Sequence, residues 1–274
     1  MSELSTRIEA LINKAIDADK LILPTLPEIA LKVRDIAENE NATISELSDV
    51  IQSDAALTTR IIKIANSPIL RAPKEIENLN MALSRLGMKY TSNLAIGLAM
   101  EQMFQATSDF VDTRLRKTWA QSTEIAGMCN VLAKQFTNLQ PDKATLAGLV
   151  HQIGVLPVLA FAEEHTTLLR DSMTLDTIIK EIHPSLGVRI LTEWDFPTEL
   201  RTIPLNYMDH TRIIDNADYA DVVTVASIQS QDMNEETDYS HVTAFERLGL
   251  DSGVESTEAF DLSQEMENAS SLFQ

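Results

Sequence analysis

The sequence has few of the residues that β-structure and disulfide scaffolds require. Its 274 residues include 8 glycines, 9 prolines and 5% aromatic side chains, so the residues typical of tight hairpin turns and of aromatic-rich strands are scarce. This composition excludes an all-β fold and favours helices. A single cysteine, Cys129, cannot form an internal disulfide, which predicts a reducing compartment such as the cytoplasm.

Positive charge is also in short supply. Lysine and arginine number 22 against 41 acidic residues, which gives a formal net charge of -19. Such a chain is repelled by phosphate backbones and anionic lipids, so we expect neither a nucleic-acid nor a membrane partner.

No segment of the sequence is predicted to cross or enter a membrane. The longest nearly apolar run, from Ile153 to Ala162, contains Pro157 and is too short to span a bilayer. The N-terminal residues alternate polar and apolar side chains, which is not the pattern of a signal peptide. These features predict a cytoplasmic protein.

Apolar residues recur at helical spacing from the first residues onward. Leu4, Ile8, Leu11 and Ile12 share one helical face, and similar stripes follow along the chain. We therefore predict an all-α fold. The local signals predict a capping box at Thr43, an N-cap at Ser53, a left-handed C-cap at Gly87 and helices over Thr91–Met103, Arg114–Phe136, His183–Trp194 and Ala217–Ile228.

The acidity is concentrated at the C-terminal end. Residues 231–274 contain eleven acidic residues and one base, Arg247, so this segment carries -10 of the net -19. Two interpretations stay open: a small helix followed by a solvated tail, or a segment that binds a partner or regulates the protein.

Several ordered motifs lie between residues 22 and 197. They are Leu23-Pro-Thr-Leu-Pro27, Ser53-Asp-Ala-Ala-Leu-Thr58, Ala65-Asn-Ser67, Leu86-Gly87, Gly148-Leu-Val-His151, His183-Pro-Ser-Leu-Gly187 and Trp194-Asp-Phe-Pro197. In this order the motifs resemble the HDOD family, the HD-related output domain of bacterial signalling proteins. Ala55 stands where the family usually has proline.

The resemblance covers about residues 20–230 and implies one all-α domain of two packed helical lobes. We expect an N-terminal helical lobe over residues 1–110, an HD-like lobe over residues 111–230 and an acidic C-terminal extension over residues 231–274.

The resemblance also implies a relation to HD phosphohydrolases, which hold metal ions with a first histidine, a His-Asp pair and a distant aspartate. By motif context these positions hold Gln121, the pair His151-Gln152, and Ser227. Amide and hydroxyl groups are weaker ligands for hard cations than carboxylates, so hydrolysis by the ordinary HD route is not expected.

The HD-GYP subgroup has further ligands in a His-Pro-x-x-Gly motif and a His-His pair. The first is intact at His183, and the pair falls at Asp209-His210. Three alternatives stay open for this pocket: a vestigial, water-filled site, a site that binds a small anion or nucleotide without turnover, or a nitrogen-rich zinc or iron site formed by His151, His183, His210 and Asp209.

The resemblance thus implies a non-catalytic signal-transduction module that acts through protein–protein interaction and needs no cofactor. Its expected partners are signalling proteins of cyclic-dinucleotide or chemotaxis pathways, contacting the cleft between the lobes and the acidic extension. The alternative is an HD-type metal-dependent phosphohydrolase with an altered ligand set.

Overall fold

The computed structural model describes residues 1–67, 70, 74–230 and 239–250, and its regular secondary structure in these ranges is helical. The all-α prediction is therefore confirmed. The α-helices are α1 (Glu3–Asp17), α2 (Glu28–Glu38), α3 (Ile44–Gln52), α4 (Ala55–Ala65), α5 (Leu79–Leu86), α6 (Met88–Ala99), α7 (Asp109–Phe136), α8 (Pro141–Val150), α9 (Val155–Glu164), α10 (Ser172–Glu193), α11 (Thr198–Arg201), α12 (Ile203–Asn206), α13 (Tyr219–Gln229) and α14 (Thr243–Arg247). Short 3₁₀ helices cover Met100–Met103 and Leu168–Arg170.

The capping signals around α3 and α4 are partly as predicted. Thr43 and Glu46 form the predicted capping box at the start of α3. The predicted N-cap at Ser53 is wrong, because Ser53 ends α3 and the next residue, Asp54, accepts the hydrogen bond from the Leu57 backbone N–H at 2.9 Å. Aspartate and serine are comparably good N-cap residues, so residue type alone does not show which of two neighbouring residues caps the helix.

Gly87 ends α5 with a positive φ of 81°, as a glycine allows. Its ψ of 165° is extended rather than left-handed helical, because the chain turns directly into α6. The predicted helix over Thr91–Met103 correspondingly begins at Met88 and ends at Ala99, before a 3₁₀ turn.

Two long helices begin earlier than the sequence predicts. α7 begins at Asp109 rather than Arg114, because Ser108 caps it. The helix predicted to start at His183 is α10, which starts at Ser172 and holds Pro184 in its interior. Asp171 caps α10 by accepting hydrogen bonds from two backbone N–H groups, and this signal outweighs proline as a helix-start marker.

The core is organised around α7, which at 28 residues is about 42 Å long. α8 packs along α7, and α6 and α13 pack on α8. In the first half of the chain, α2, α3, α4 and α5 surround α6. α1 lies across α9 and α10. The predicted division between lobes at residue 110 stays a prediction.

Within the described residues, one segment is long and apolar enough to cross a membrane by length and composition. It runs from Pro141 to Glu164, and 89% of its most apolar window is buried inside the protein. This segment forms the packed core helices α8 and α9, and burial in the core explains its apolar composition.

The C-terminal extension is described only over residues 239–250. There α14 packs on α13, with Phe245 and Leu248 buried. Arg247 donates to both carboxylate oxygens of Asp221, at 2.9 and 2.7 Å, and Asp221 is 1% exposed. Of the eleven acidic residues of the extension, Glu246 lies in α14 and the other ten lie outside the described residues, so whether the extension is a solvated tail or a binding or regulatory segment stays a prediction.

Candidate functional site

Four of the seven predicted site residues line one cavity of about 390 Å³ between α7, α9, α10 and α13. They are Gln121, Gln152, His183 and Ser227. The helices that carry them are separate in sequence, so the fold brings these positions together. The functional assignment of the positions stays a prediction.

Two helical stripes form facing walls of this cavity. α7 contributes Arg114, Lys117, Thr118 and Gln121, and α10 contributes Asp176, Ile179, Lys180 and His183, with the same spacing on both helices. Residues at this spacing lie on one helical face. The two stripes meet at one end, where the Arg114 guanidinium contacts the Asp176 carboxylate at 2.7 Å.

His151 is buried behind the cavity and does not line it. Its Nδ1 is 2.6 Å from the Gly148 carbonyl oxygen, which makes Nδ1 the protonated nitrogen of a neutral ring. Burial lowers the pKa of His151 to about 4, although the Gly148 carbonyl favours the charged form. His151 is therefore neutral at pH 7.

His183 lies between the cavity and Tyr207. Its Nε2 is 3.1 Å from the Tyr207 hydroxyl, while its Nδ1 is buried and has no hydrogen-bond partner in the part of the chain that the structure describes. Burial, and secondly the proximity of His151, lower the pKa of His183 to about 3. The Tyr207 ring also lies edge-on to His151, with centroids 5.0 Å apart. One tyrosine thus packs against both histidines.

Asp209 and His210 do not line the cavity. Asp209 accepts hydrogen bonds from the backbone N–H and the hydroxyl of Thr211, each at 3.0 Å. The His210 ring faces His241, with centroids 6.0 Å apart. These two residues are therefore engaged outside the cavity that holds His183.

The donor set of the cavity does not fit a divalent metal ion. In the described ranges, no group of three or more histidine, cysteine, aspartate or glutamate side chains is arranged to hold one. The predicted ligand positions in the cavity, Gln121, Gln152, Ser227 and His183, offer two amides, a hydroxyl and one imidazole. The cavity lining has one carboxylate, Asp176, which is paired with the Arg114 guanidinium at 2.7 Å. Hard cations prefer carboxylates, and zinc and iron prefer several imidazoles or thiolates.

The spacing of the His183-Pro-Ser-Leu-Gly187 motif has a packing explanation. A Cβ atom on Gly187 would lie 2.7 Å from the Pro204 Cβ, and a Cβ on Gly154 would overlap the His183 carbonyl oxygen. α9 and α12 therefore approach α10 closely at these glycines. The motif positions His183 through helix packing without requiring a metal.

Sequence reasoning missed Tyr207 and the three cationic residues of the cavity: Arg114, Lys117 and Lys180. The cations stand three to seven residues before Gln121 or His183, at spacings that place them on the same helical faces. Applying helical spacing to the predicted site residues would have found them. Tyr207 follows the short helix α12 and carries no comparable signal.

The family model of the HDOD domain matches residues 23–208. A solved structure from Shewanella amazonensis SB2B, named "putative metal-dependent phosphohydrolase", is 27% identical with a TM-score of 0.87, covering 98% of this chain and 99% of that one. A "putative signal transduction protein" from Marinobacter aquaeolei VT8 is 20% identical with a TM-score of 0.65, covering 97% of this chain and 66% of that one, and shows the fold alone.

One curated relative, an uncharacterized protein of Treponema pallidum (strain Nichols), is 25% identical over 207 residues. The match covers 70% of this chain, which spans 38% of that relative's length. The family match covers well over half of the chain, in agreement with the helical fold and with the ordered sequence motifs. The chain belongs to the HDOD domain family.

Proposed function

We propose that this protein is a non-catalytic signal-transduction module of the bacterial cytoplasm that acts through contacts with other signalling proteins. The observation that supports the proposal is the donor set of the cavity, where Gln121, Gln152 and Ser227 occupy the positions that the family resemblance assigns to HD metal ligands. Without a bound metal ion, the cavity lacks the group that lowers the pKa of an attacking water in metal-dependent hydrolysis.

The two histidines of the site support the same conclusion. His151 and His183 are buried and neutral, and each has a ring nitrogen in contact with a protein oxygen. Their lowered pKa values make them poor general bases near pH 7, because a proton taken by either ring would be buried without a counter-charge. The hydrogen-bonded nitrogen of each ring is thus used in packing, while His151 Nε2 and His183 Nδ1 are buried without a partner among the described residues.

A cleft suited to a partner lies away from this cavity. It has a volume of about 430 Å³ and is formed by residues of α2, α6, α8 and the segment that leads into α11. Its lining contains positive and negative side chains, such as Arg34 and Asp195. It also contains apolar side chains, such as Phe196 and Leu200. Mixed polar and apolar surfaces of this kind are typical of protein interfaces.

A second candidate is a metal-dependent phosphohydrolase with an altered ligand set. It is favoured by the likeness to the Shewanella amazonensis protein, which has a name of that kind and a TM-score of 0.87. The donor set described above opposes it, since the chain would have to bind its metal through one cavity imidazole and neutral oxygens.

The test is hydrolysis of a phosphodiester and a phosphomonoester by the purified chain after chelator treatment and reloading with Mn²⁺, Fe²⁺, Mg²⁺ or Zn²⁺. We use the p-nitrophenyl esters as substrates and compare the wild type with His183→Gln. We expect no metal-stimulated hydrolysis above the rate of the free metal, and no difference between the two proteins.

His165→Gln is the matched control, because His165 is an exposed histidine outside the cavity. Metal-dependent hydrolysis that disappears in His183→Gln and persists in His165→Gln would contradict the proposal and establish the second candidate.

A further inference from the structure

The cavity between α7 and α10 is cationic in a strongly acidic chain. Three of its lining residues, Arg114, Lys117 and Lys180, are positively charged and one, Asp176, is negative, whereas the whole chain carries -19. Local charge opposite in sign to the rest of a protein concentrates ligands of the complementary sign. The expected ligand is an anion.

The three cations are placed where an anion could reach them. Arg114 is held by Asp176 at 2.7 Å and by Ser172 at 2.5 Å, while its guanidinium carbon lies 4.7 Å from the centre of the Phe110 ring. Its Nε is buried and has no hydrogen-bond partner within the described ranges. Throughout the described ranges, Lys117 and Lys180 make no ion pair, and both are exposed at the mouth of the cavity. Their ammonium groups are available.

Beyond the cations the cavity becomes uncharged but stays polar. Gln121 lies four residues after Lys117 and His183 three residues after Lys180, which is about 6 Å and about 4.5 Å further along their helices. Here the Ser227 hydroxyl and His183 Nδ1 are both buried with no hydrogen-bond partner among the described residues. Buried polar groups are rarely left unpaired, since an unpaired group loses its hydrogen bonds to water without replacement. These atoms can serve a ligand with hydrogen-bonding groups of its own.

The volume sets the size of that ligand. A cavity of about 390 Å³ is within the range of small-molecule sites and is larger than inorganic phosphate requires. A compact anion beside the lysines and a polar body extending about 5 Å beyond it match the charged and uncharged zones of the cavity. A phosphate is the anion suited to several converging lysine and arginine side chains.

We propose that this cavity binds a small phosphomonoester without a metal ion. Arg114, Lys117 and Lys180 hold its phosphate, and Gln121, Gln152 and Ser227 face its hydroxylated or heterocyclic body. The inference rests on the proposed function in one respect: the ligand is held without being hydrolysed. A signalling module would thereby report the concentration of a phosphorylated metabolite.

The test is calorimetric titration of the full chain in the presence of EDTA. The probes are AMP and ribose 5-phosphate, with adenosine as the uncharged control and inorganic phosphate as the anion alone. We expect one of the two phosphomonoesters to bind one per chain, more tightly than inorganic phosphate, with no binding of adenosine. The affinity falls as salt concentration rises, because the lysines are exposed.

Two variants locate the site. Lys117→Met and Lys180→Met each weaken binding by about tenfold, the loss expected for one charge-assisted hydrogen bond. Lys134→Met is the matched control, because Lys134 is an exposed lysine on the same helix α7 outside the cavity. It leaves the affinity unchanged.

The outcomes separate this inference from the proposed function. Absence of binding by both phosphomonoesters, or binding that Lys117→Met and Lys180→Met leave unchanged, overturns the inference and leaves the proposed function standing. Binding that requires added metal overturns both. Release of inorganic phosphate from a bound probe overturns the proposed function and this metal-free, turnover-free site with it.

Discussion

The two buried histidines predict that the protein loses stability in mildly acidic solution. His151 and His183 have pKa values lowered to about 4 and about 3, whereas an unfolded histidine titrates near 6.5. Between these values the unfolded chain binds more protons than the folded one, so the free energy of unfolding decreases as the pH falls below about 6.5.

The magnitude follows from the same pKa values. At pH 5 each histidine is protonated in the unfolded state and neutral in the folded state, about 1.5 pH units below its unfolded pKa. Each therefore lowers the free energy of unfolding by about 2 kcal/mol relative to pH 7.5, and the pair by about 4 kcal/mol. This is a large fraction of the stability of an ordinary domain.

The assay is urea unfolding of the full chain at pH 7.5, 6.5, 5.5 and 5.0, followed by circular dichroism. We expect the wild type to lose about 4 kcal/mol across this range, and His183→Gln to lose about half as much, because one of the two titrating groups is gone. His165→Gln keeps the wild-type loss, since His165 is exposed.

A wild-type protein that is equally stable at pH 7.5 and pH 5.0 would refute the reasoning. So would a pH-dependent loss that His183→Gln leaves unchanged, because the acid sensitivity would then come from other groups.

Two further variants test the packing around the site. Gly154→Ala should cost about 3 kcal/mol of stability in thermal or urea unfolding, because its Cβ would overlap backbone atoms of α10; Gly97→Ala should cost less, since its Cβ meets side-chain atoms of two leucines and no backbone atoms. Equal losses would contradict the close approach. Arg247→Ala should cost about 3 kcal/mol by leaving the carboxylate of Asp221 poorly paired at 1% exposure, against less than about 1 kcal/mol for the exposed pair removed in Arg116→Ala. A small effect of Arg247→Ala would show that α14 is not anchored by this pair.

Local signals in the sequence predict which segments are helical better than they predict the residue at which each helix begins. The capping box at Thr43 predicted the start of α3 because both of its hydrogen bonds are made within four residues. The start of α10 was predicted at His183 because proline is common in the first turn of a helix. The structure places Pro184 inside α10, since helix packing stabilises a residue that local preference disfavours.

Site residues that belong to a family motif could be predicted from the sequence. Site residues that only the tertiary structure brings together could not. Gln121, Gln152 and His183 follow from the family motifs, and the structure places them on one cavity. Tyr207 reaches His183 from the end of a four-residue helix, and nothing in the sequence around it marks that contact. The displacement of Asp209 and His210 from the cavity likewise depends on a loop conformation that no periodic pattern encodes.

The most direct test of the central claim is the metal content of the full chain after equilibrium dialysis against Mn²⁺, Fe²⁺ or Zn²⁺. The donor set of Gln121, Gln152, His183 and Ser227 predicts far less than one metal ion per chain, with the same value for His183→Gln. About one metal ion per chain, lost in His183→Gln and retained in His165→Gln, would contradict the account.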